Sequence, residues 1–445
     1  MQPRQRTESR TEARTESRAE ARMESRTKAR MESRAEHRGP ADDRRGSRLR
    51  AAVVFRFAIC SLALVAALGD GDASAGAAAN PWASDTFSPR PGLVDDTRDA
   101  PLAALCKGGI DGALVTVAGE LASSLATRAE LPDAAEIEWR MRKAGSPHVW
   151  PRSWGAHGAV GSLDRKTLVA DVASWLGASP SRIRCGVASR RVGDQEALAI
   201  VAVEPFAELA ALPTRAKVGA FLELDATLLR GGTTGRVVLL PPSGAPRTLL
   251  SHVRTPSGVG FAHLLAQVPV VSSGRHVVQV LADDANGPRP VLEAEVWAGV
   301  EPPITAPTID VPGEARGDGV SDEAAALFSR LNGARAAGSL PPLARDAVLD
   351  RVASAHALAM RKAHLLGHDV GDGDPAARAA AAGASYKVIG ENVAKARGER
   401  AAHRALYASP SHRGNMLETR FRKVGIGVTT DPATGETWVA QLYGG

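Results

Sequence analysis

Few side chains in this sequence are able to do chemistry. Its 445 residues hold 3 cysteines and 11 histidines. They hold no His-Glu-x-x-His, no Gly-x-Ser-x-Gly, and no serine, threonine or cysteine in a recognisable nucleophile setting. Any hydrolysis would have to use a water activated by a metal or by a carboxylate. Five of the histidines, His356, His364, His368, His403 and His412, gather near the C-terminus. Imidazole titrates near neutral pH and is a borderline ligand, so beside a carboxylate it suits either proton transfer or a divalent ion such as zinc. The acidic run Asp369, Asp372, Asp374 lacks the spacing and the terminal Glu of a calcium-binding EF-hand and reads as a solvated turn. With no Cys-x-x-Cys, a finger-type structural zinc site is not expected.

Periodicity predicts the elements that must carry these residues. Ser321, followed by Asp322 and Glu323, opens a helix, since acids in a first turn favour the macrodipole. Asp346 caps a second helix whose Leu349, Val352, Ala353, His356, Ala357 and Met360 form one apolar face. Asp374-Pro375 opens a third, ended by Gly383. A strand-like run from Val388 carries Gly390-Glu391-Asn392-Val393, and a fourth helix covers 400–408 before Ser409-Pro410 re-caps the chain for a short turn bearing His412. Period-2 runs, Lys423 to Thr430 and Glu436 to Tyr443, predict a terminal hairpin around Asp431 to Gly435. Residues 320–445 therefore read as helices against an antiparallel sheet, an α/β/α sandwich.

Taken in order, Leu331-Asn332 with Arg335 and Gly338, Pro342-Leu343, Gly367-His368, Gly390-Glu391-Asn392-Val393, Ser409-Pro410-Ser411-His412-Arg413 with Asn415-Met416, Val424 to Val428 and Trp438 to Gln441 resemble the CAP superfamily. This is the family of cysteine-rich secretory proteins, antigen 5 and pathogenesis-related 1, here in its bacterial SCP-domain form. The resemblance covers residues 320–445. It implies a sandwich with a central cleft in which His368, Glu391 and His412 meet, with Asn392, Ser411 and Gln441 as further cleft residues. Two imidazoles and a carboxylate so placed suit zinc or another divalent metal held by His368, His412 and Glu391, or equally a proton-transfer set, with Glu391 the candidate catalytic residue. The chain departs from the family where animal and plant members carry a second glutamate, since Leu406, Tyr407 and Ala408 stand there. His356, His364 and His403 have no motif support and read as packing or solvated residues.

The rest of the chain is multidomain. Residues 1–50 hold 15 basic and 9 acidic residues, and the remainder is balanced at 40 of each, so the net charge of +6 belongs to a tail. A neutral body offers no footprint for phosphate backbones, and nucleic-acid binding is excluded on that ground. The tail repeats a four-residue Arg/Glu unit, read as disordered or as a start assigned too early. Residues 51–75, with Phe57 to Leu68 apolar and Ala73-Ser74-Ala75 behind, read as a signal peptide. An uncleaved membrane anchor is the minor alternative. Export makes a Cys106–Cys185 disulfide the favoured reading over two buried thiols.

Residues 76–100 and 301–319 read as linkers, 101–206 as a small α+β domain, and 207–300 as an immunoglobulin-like β-sandwich acting as a spacer or as a contact to the cell envelope. Ala178-Ser179-Pro180-Ser181-Arg182, followed by Cys185-Gly186-Val187-Ala188, weakly echoes Ala408 to His412 and Gly425 to Val428, so the first domain could be a relative without the site. The whole reads as a secreted or periplasmic protein whose cleft binds a small ligand, lipid-like or other. The rival is a metal-dependent hydrolase of peptides or cell-wall material.

Overall fold

The computed structural model describes residues 82–445 apart from 178–181, 231–232, 257–259, 285 and 309. The tetrad repeat, the signal peptide and the Ser179-Pro180 part of the echo lie outside the described residues. No helix among the described residues is long and apolar enough to cross a membrane.

The first lobe contains β1 (Thr86–Phe87), α1 (Ala100–Ala103), α2 (Gly112–Arg128), α3 (Ala134–Lys143), β2 (Arg152–Ala159), α4 (Arg165–Leu176), β3 (Arg184–Val192) and β4 (Gln195–Val203). Its antiparallel sheet has the order β2-β4-β3. The sequence reading pointed to α3 and α4 but not to α2, although Thr116, Glu120, Ser123 and Thr127 give α2 a narrow polar stripe of helical period beside its buried residues. Asp111 caps it by accepting from the backbone N–H groups of Ala113 and Leu114, a contact worth about 1 kcal/mol. Cys106 and Cys185 are disulfide-bonded, as favoured.

Two sheets follow. β5 (Ala207–Leu209), β6 (Leu212–Pro213), β7 (Arg215–Ala216), β8 (Phe221–Leu228), β9 (Gly235–Leu240), β10 (Arg247–Leu249), β11 (Ser251–Arg254), β12 (Ala262–Pro269), β13 (Gly274–Asp284) and β14 (Gly287–Ala298) supply them. One sheet runs β11-β12-β8-β5 and the other β10-β9-β13-β14-β7. Alternate residues of both, such as Leu224, Ala226, Leu264, Val278, Val280 and Val296, interlock as one apolar core. Val277, Gln279 and Leu281, on the outer face of β13, are buried as well. This sheet is therefore packed between its neighbours and is not a free-standing spacer.

The last lobe contains α5 (Glu323–Ala337), β15 (Ala344–Arg345), α6 (Ala347–Ala363), α7 (Pro375–Ala381), β16 (Ile389–Ala396), α8 (Glu399–Ala408), α9 (Pro410–Leu417), β17 (Lys423–Thr430) and β18 (Thr437–Gly444). Its sheet, in the order β15-β17-β18-β16, is covered on one face by α6 and α7 and on the other by α5, α8 and α9. The two faces have separate apolar clusters, as an α/β/α arrangement requires.

Neither described stretch expected as a linker hangs free. Trp82 and Phe87 enter the sandwich core, edge to face with each other, and β1 pairs with β6. Val311 enters the core of the last lobe, and the Glu314 carbonyl accepts from Nε of Arg330. Pro and Gly signalled irregular backbone there, but the large apolar side chains between them still had surface to bury.

The first and last lobes share one unit. α2 and α6 are both 17 residues long. Each is capped by an aspartate, Asp111 or Asp346, whose own N–H donates to a strand carbonyl, that of Cys185 or Val424. Each helix lies directly on a glycine: a Cβ on Gly186 would come within 1.9 Å of Leu114 backbone, and one on Gly425 within 2.0 Å of Leu349 backbone. Each glycine belongs to a hairpin, β3–β4 or β17–β18, with a third strand, β2 or β16, antiparallel to its second arm. The weak echo in the sequence set Cys185 against Gly425, and the structure shifts that match by one residue, to Cys185 with Val424 and Gly186 with Gly425.

Candidate functional site in the last lobe

The site forms at the sheet edge, where β16 is flanked by a loop from one face and a helix from the other. Glu391 points to the α6 and α7 side, and Asn392, one residue on, points to the α9 side. Glu391 is 5% exposed. Its Oε1 accepts from Nδ1 of His368 at 2.8 Å, and its Oε2 accepts from Nη2 of Arg378 at 2.5 Å.

His368 sits in the loop between α6 and α7, which is heavily tied down. Arg378 donates from Nη1 to the carbonyls of His368, at 2.7 Å, and Gly373. Asp369 accepts from the N–H groups of Gly371 and Gly373. His356, on the buried face of α6, meets Asp372 through Nδ1 at 2.8 Å and the Gly367 carbonyl through Nε2 at 3.0 Å. Its Nε2 also lies 3.8 Å from Glu391. Both ring nitrogens face acceptors.

Sequence reasoning assigned no role in the site to His356 or Arg378. The missed signal was a charged residue on an apolar helix face, which needs a buried partner. Asp372 is likewise more than a solvated turn residue, and Asp374 caps α7 through the Ala377 N–H. His364 is exposed, and His403 is buried in α8, away from these contacts.

His412 stands in the first turn of α9. Its Nδ1 meets Oγ of Ser409 at 2.9 Å. Burial, with the nearby His368 adding to it, pushes its pKa down to about 3, so the ring is neutral at physiological pH. Asn392 fixes that helix to the strand by donating to the His412 carbonyl, while Asn415 donates to Oδ1 of Asn392 and to the Glu391 carbonyl. Gln441, fully buried, accepts from Tyr443 Oη at 2.6 Å and from Asn392 at 3.4 Å. Asn392 and Gln441 are thus scaffold beneath the site and do not line a cleft: period-2 alternation turns them to the packed face of the sheet. Ser411 contributes its backbone N–H, which donates to Gln279 of the sandwich.

His368, Glu391 and His412 therefore converge. Among the described residues no group of three or more His, Cys, Asp or Glu side chains is arranged to hold an ion. Both oxygens of Glu391 are engaged, one of them by a guanidinium, which leaves the carboxylate in the role of orienting His368. Neither Nε2, of His368 or of His412, has a hydrogen-bond partner among the described residues. The second glutamate of the family is replaced by core: Leu406 and Tyr407 are buried, and Arg413 stacks on Tyr407 at 3.8 Å.

The sequence profile of the Cysteine-rich secretory protein family, CAP, matches residues 328–443. This chain carries a C-terminal CAP domain. Solved structures similar to the chain include an outer surface protein of Borrelia burgdorferi, 21% identical, covering 28% of this chain and 92% of that one, with a TM-score of 0.27. An extracellular protein containing a SCP domain from Bacillus anthracis is 14% identical, with 54% and 85% of the two chains covered and a TM-score of 0.26. A cysteine-rich secretory protein of Staphylococcus aureus is 11% identical, with 54% and 83% covered and a TM-score of 0.24. At such values these are likenesses only. No curated protein matches the chain. In the CAP domain, the edge of β16 is where the site lies.

Proposed function

We propose that the CAP domain of this chain binds a small ligand, lipid-like or other, at the edge of β16, and that the chain works outside the cytoplasm. The observation that carries the reading is the 2.8 Å pair of His368 and Glu391 with the neutral ring of His412 beside it. Two imidazoles held by their Nδ1 atoms, each with an unengaged Nε2, are prepared for a ligand. A divalent ion, where one is taken up, would be held by these two Nε2 atoms only with the His412 ring proton on Nδ1, and with Glu391 orienting His368.

Hydrolysis is the weaker reading. Glu391 is 5% exposed and already accepts from His368 and Arg378, so a water would have to reach a remaining lone pair of a buried carboxylate. Export is supported by the Cys106–Cys185 disulfide together with the apolar run before Ala75. The immunoglobulin-like reading of the sandwich is supported by its strand order. The first strand is divided between the sheets, and its second part, β7, runs parallel to the last strand, β14. Contact with the envelope would fall to the outer face of the other sheet, where Phe221 and Phe261 are exposed.

The test is mass spectrometry of small molecules that co-purify with the mature chain, alongside His368→Ala and His412→Ala. A bound molecule lost in both variants is expected. Equal recovery from both variants would remove the site from the reading.

A further inference from the structure

The outer face of β13 ends on both histidine-bearing segments of the CAP domain. The amide nitrogen of Gln279 donates to Ser409 Oγ at 3.1 Å and to Glu293 at 3.0 Å, and its amide oxygen accepts from the Ser411 N–H at 3.0 Å. Ser409 Oγ is also the atom that meets His412 Nδ1. A hydroxyl has one hydrogen. Gln279 Nε2 can only donate, so Ser409 Oγ accepts there and keeps one hydrogen and one lone pair for His412 Nδ1, at 2.9 Å, and Ser411 Oγ, at 3.4 Å. Giving the hydrogen to the shorter contact makes Nδ1 the acceptor and puts the ring proton on Nε2. His368 is held the other way: its Nδ1 faces a carboxylate and donates, so in the neutral ring its Nε2 is the acceptor.

At the other end of β13, the Asn286–Gly287 turn lies on His368. The Asn286 carbonyl accepts from the N–H groups of His368, at 2.9 Å, and Asp369, at 3.2 Å. Its side-chain amide donates to the Asp369 carbonyl at 2.7 Å. A Cβ on Gly287 would come within 3.0 Å of His368 Cβ and 3.4 Å of its ring, and only 16% of the His368 side chain stays exposed.

We propose that the β-sandwich is a working part of the CAP site: Gln279 is a positioning residue that sets the tautomer of His412 through Ser409, and the Asn286–Gly287 turn covers the approach to His368. The two Nε2 atoms then offer a donor and an acceptor, the pattern that a hydroxyl or a primary amide on a ligand completes. This rests on reading the CAP cleft as a binding site, but tautomer and cover are properties of the protein alone and can fail independently of any ligand.

The experiment uses the full mature chain. Long-range proton–nitrogen NMR of the histidine rings distinguishes the tautomers. His412 is expected as the Nε2–H form and His368 as the Nδ1–H form. Gln279→Ala should change the His412 tautomer ratio about tenfold, the size of one lost hydrogen bond, and leave His368 unmoved. Ser409→Ala removes the relay from the CAP side and should give the same shift if Gln279→Ala fails to fold. His412 found as Nδ1–H, or unmoved in both variants, overturns the positioning role. For the cover, diethyl pyrocarbonate labelling of His368 should be slow beside the exposed His364 and should rise about tenfold in Asn286→Ala. His368 labelled as fast as His364 in the unaltered chain overturns the cover.

Discussion

Arg378 Nη2 stands 2.5 Å from Oε2 of Glu391, so the carboxylate at the centre of the site faces a guanidinium. Both side chains are almost wholly buried. Removing one partner strands the other charge. Arg378→Met is expected to cost about 3 kcal/mol in urea unfolding, and the double variant Arg378→Met with Glu391→Gln clearly less than the sum of the singles. Additive costs would show that the pair is not coupled.

The Cys106–Cys185 bond closes a loop with a sequence separation of 79. Chain entropy in the unfolded state puts its contribution at about 4 kcal/mol. Replacing both cysteines by serine should lower the urea midpoint by a matching amount, and reducing agent should have no further effect on that variant.

His403 and His148 are buried, and burial pushes their pKa values down to about 4 and about 3. The unfolded chain takes up these protons near pH 6.5, the folded chain only far below it. Between those limits the unfolded state binds more protons, so stability falls as pH drops below about 6.5 and goes on falling towards about 4. Both ring nitrogens of His403 lack partners. In His403→Leu the loss between pH 7 and pH 5 should shrink by about 1 to 2 kcal/mol. An unchanged slope in chemical denaturation at the two pH values would contradict this.

Gly425 and Gly427 allow α6 to lie directly on β17, since a Cβ on either would reach 2.0 to 2.2 Å from helix backbone. Each single change to alanine should cost about 3 kcal/mol, at the upper end of overpacking effects, because backbone cannot step aside as a side chain can. Thermal unfolding of the two variants measures it, and alanine tolerated at both positions would contradict the close approach.

A molecule that survives purification on the CAP domain should carry a hydroxyl or a primary amide, to meet the acceptor of His368 and the donor of His412. Mass spectrometry identifies it. A ligand with neither group would contradict the assigned tautomers.

Much of the last lobe was legible because its signals are local. Asp346 and Asp374 cap the helices that they announce, and the period-2 runs around Asp431 to Gly435 form the hairpin. His368, Glu391 and His412 were found through motifs. His356 and Arg378 were not, because their partners lie in other elements and no spacing along the chain points to them. Gln279 was out of reach for the same reason: it lies 130 residues before Ser409, in a lobe that reads as inert. The helix α2 was missed although Thr116, Glu120, Ser123 and Thr127 mark a polar stripe: the stripe is narrow, and Ser and Thr are weak helix formers.

The unit found in both outer lobes differs in how it is fastened. At the place where one copy has Cys185, crosslinked, the other has Val424, whose side chain is held by packing, and no cysteine occurs after residue 185. A reducing environment would thus loosen the copy without His412 and leave the histidine-bearing one chemically untouched. Durability against reduction belongs to the half that has the chemistry to protect.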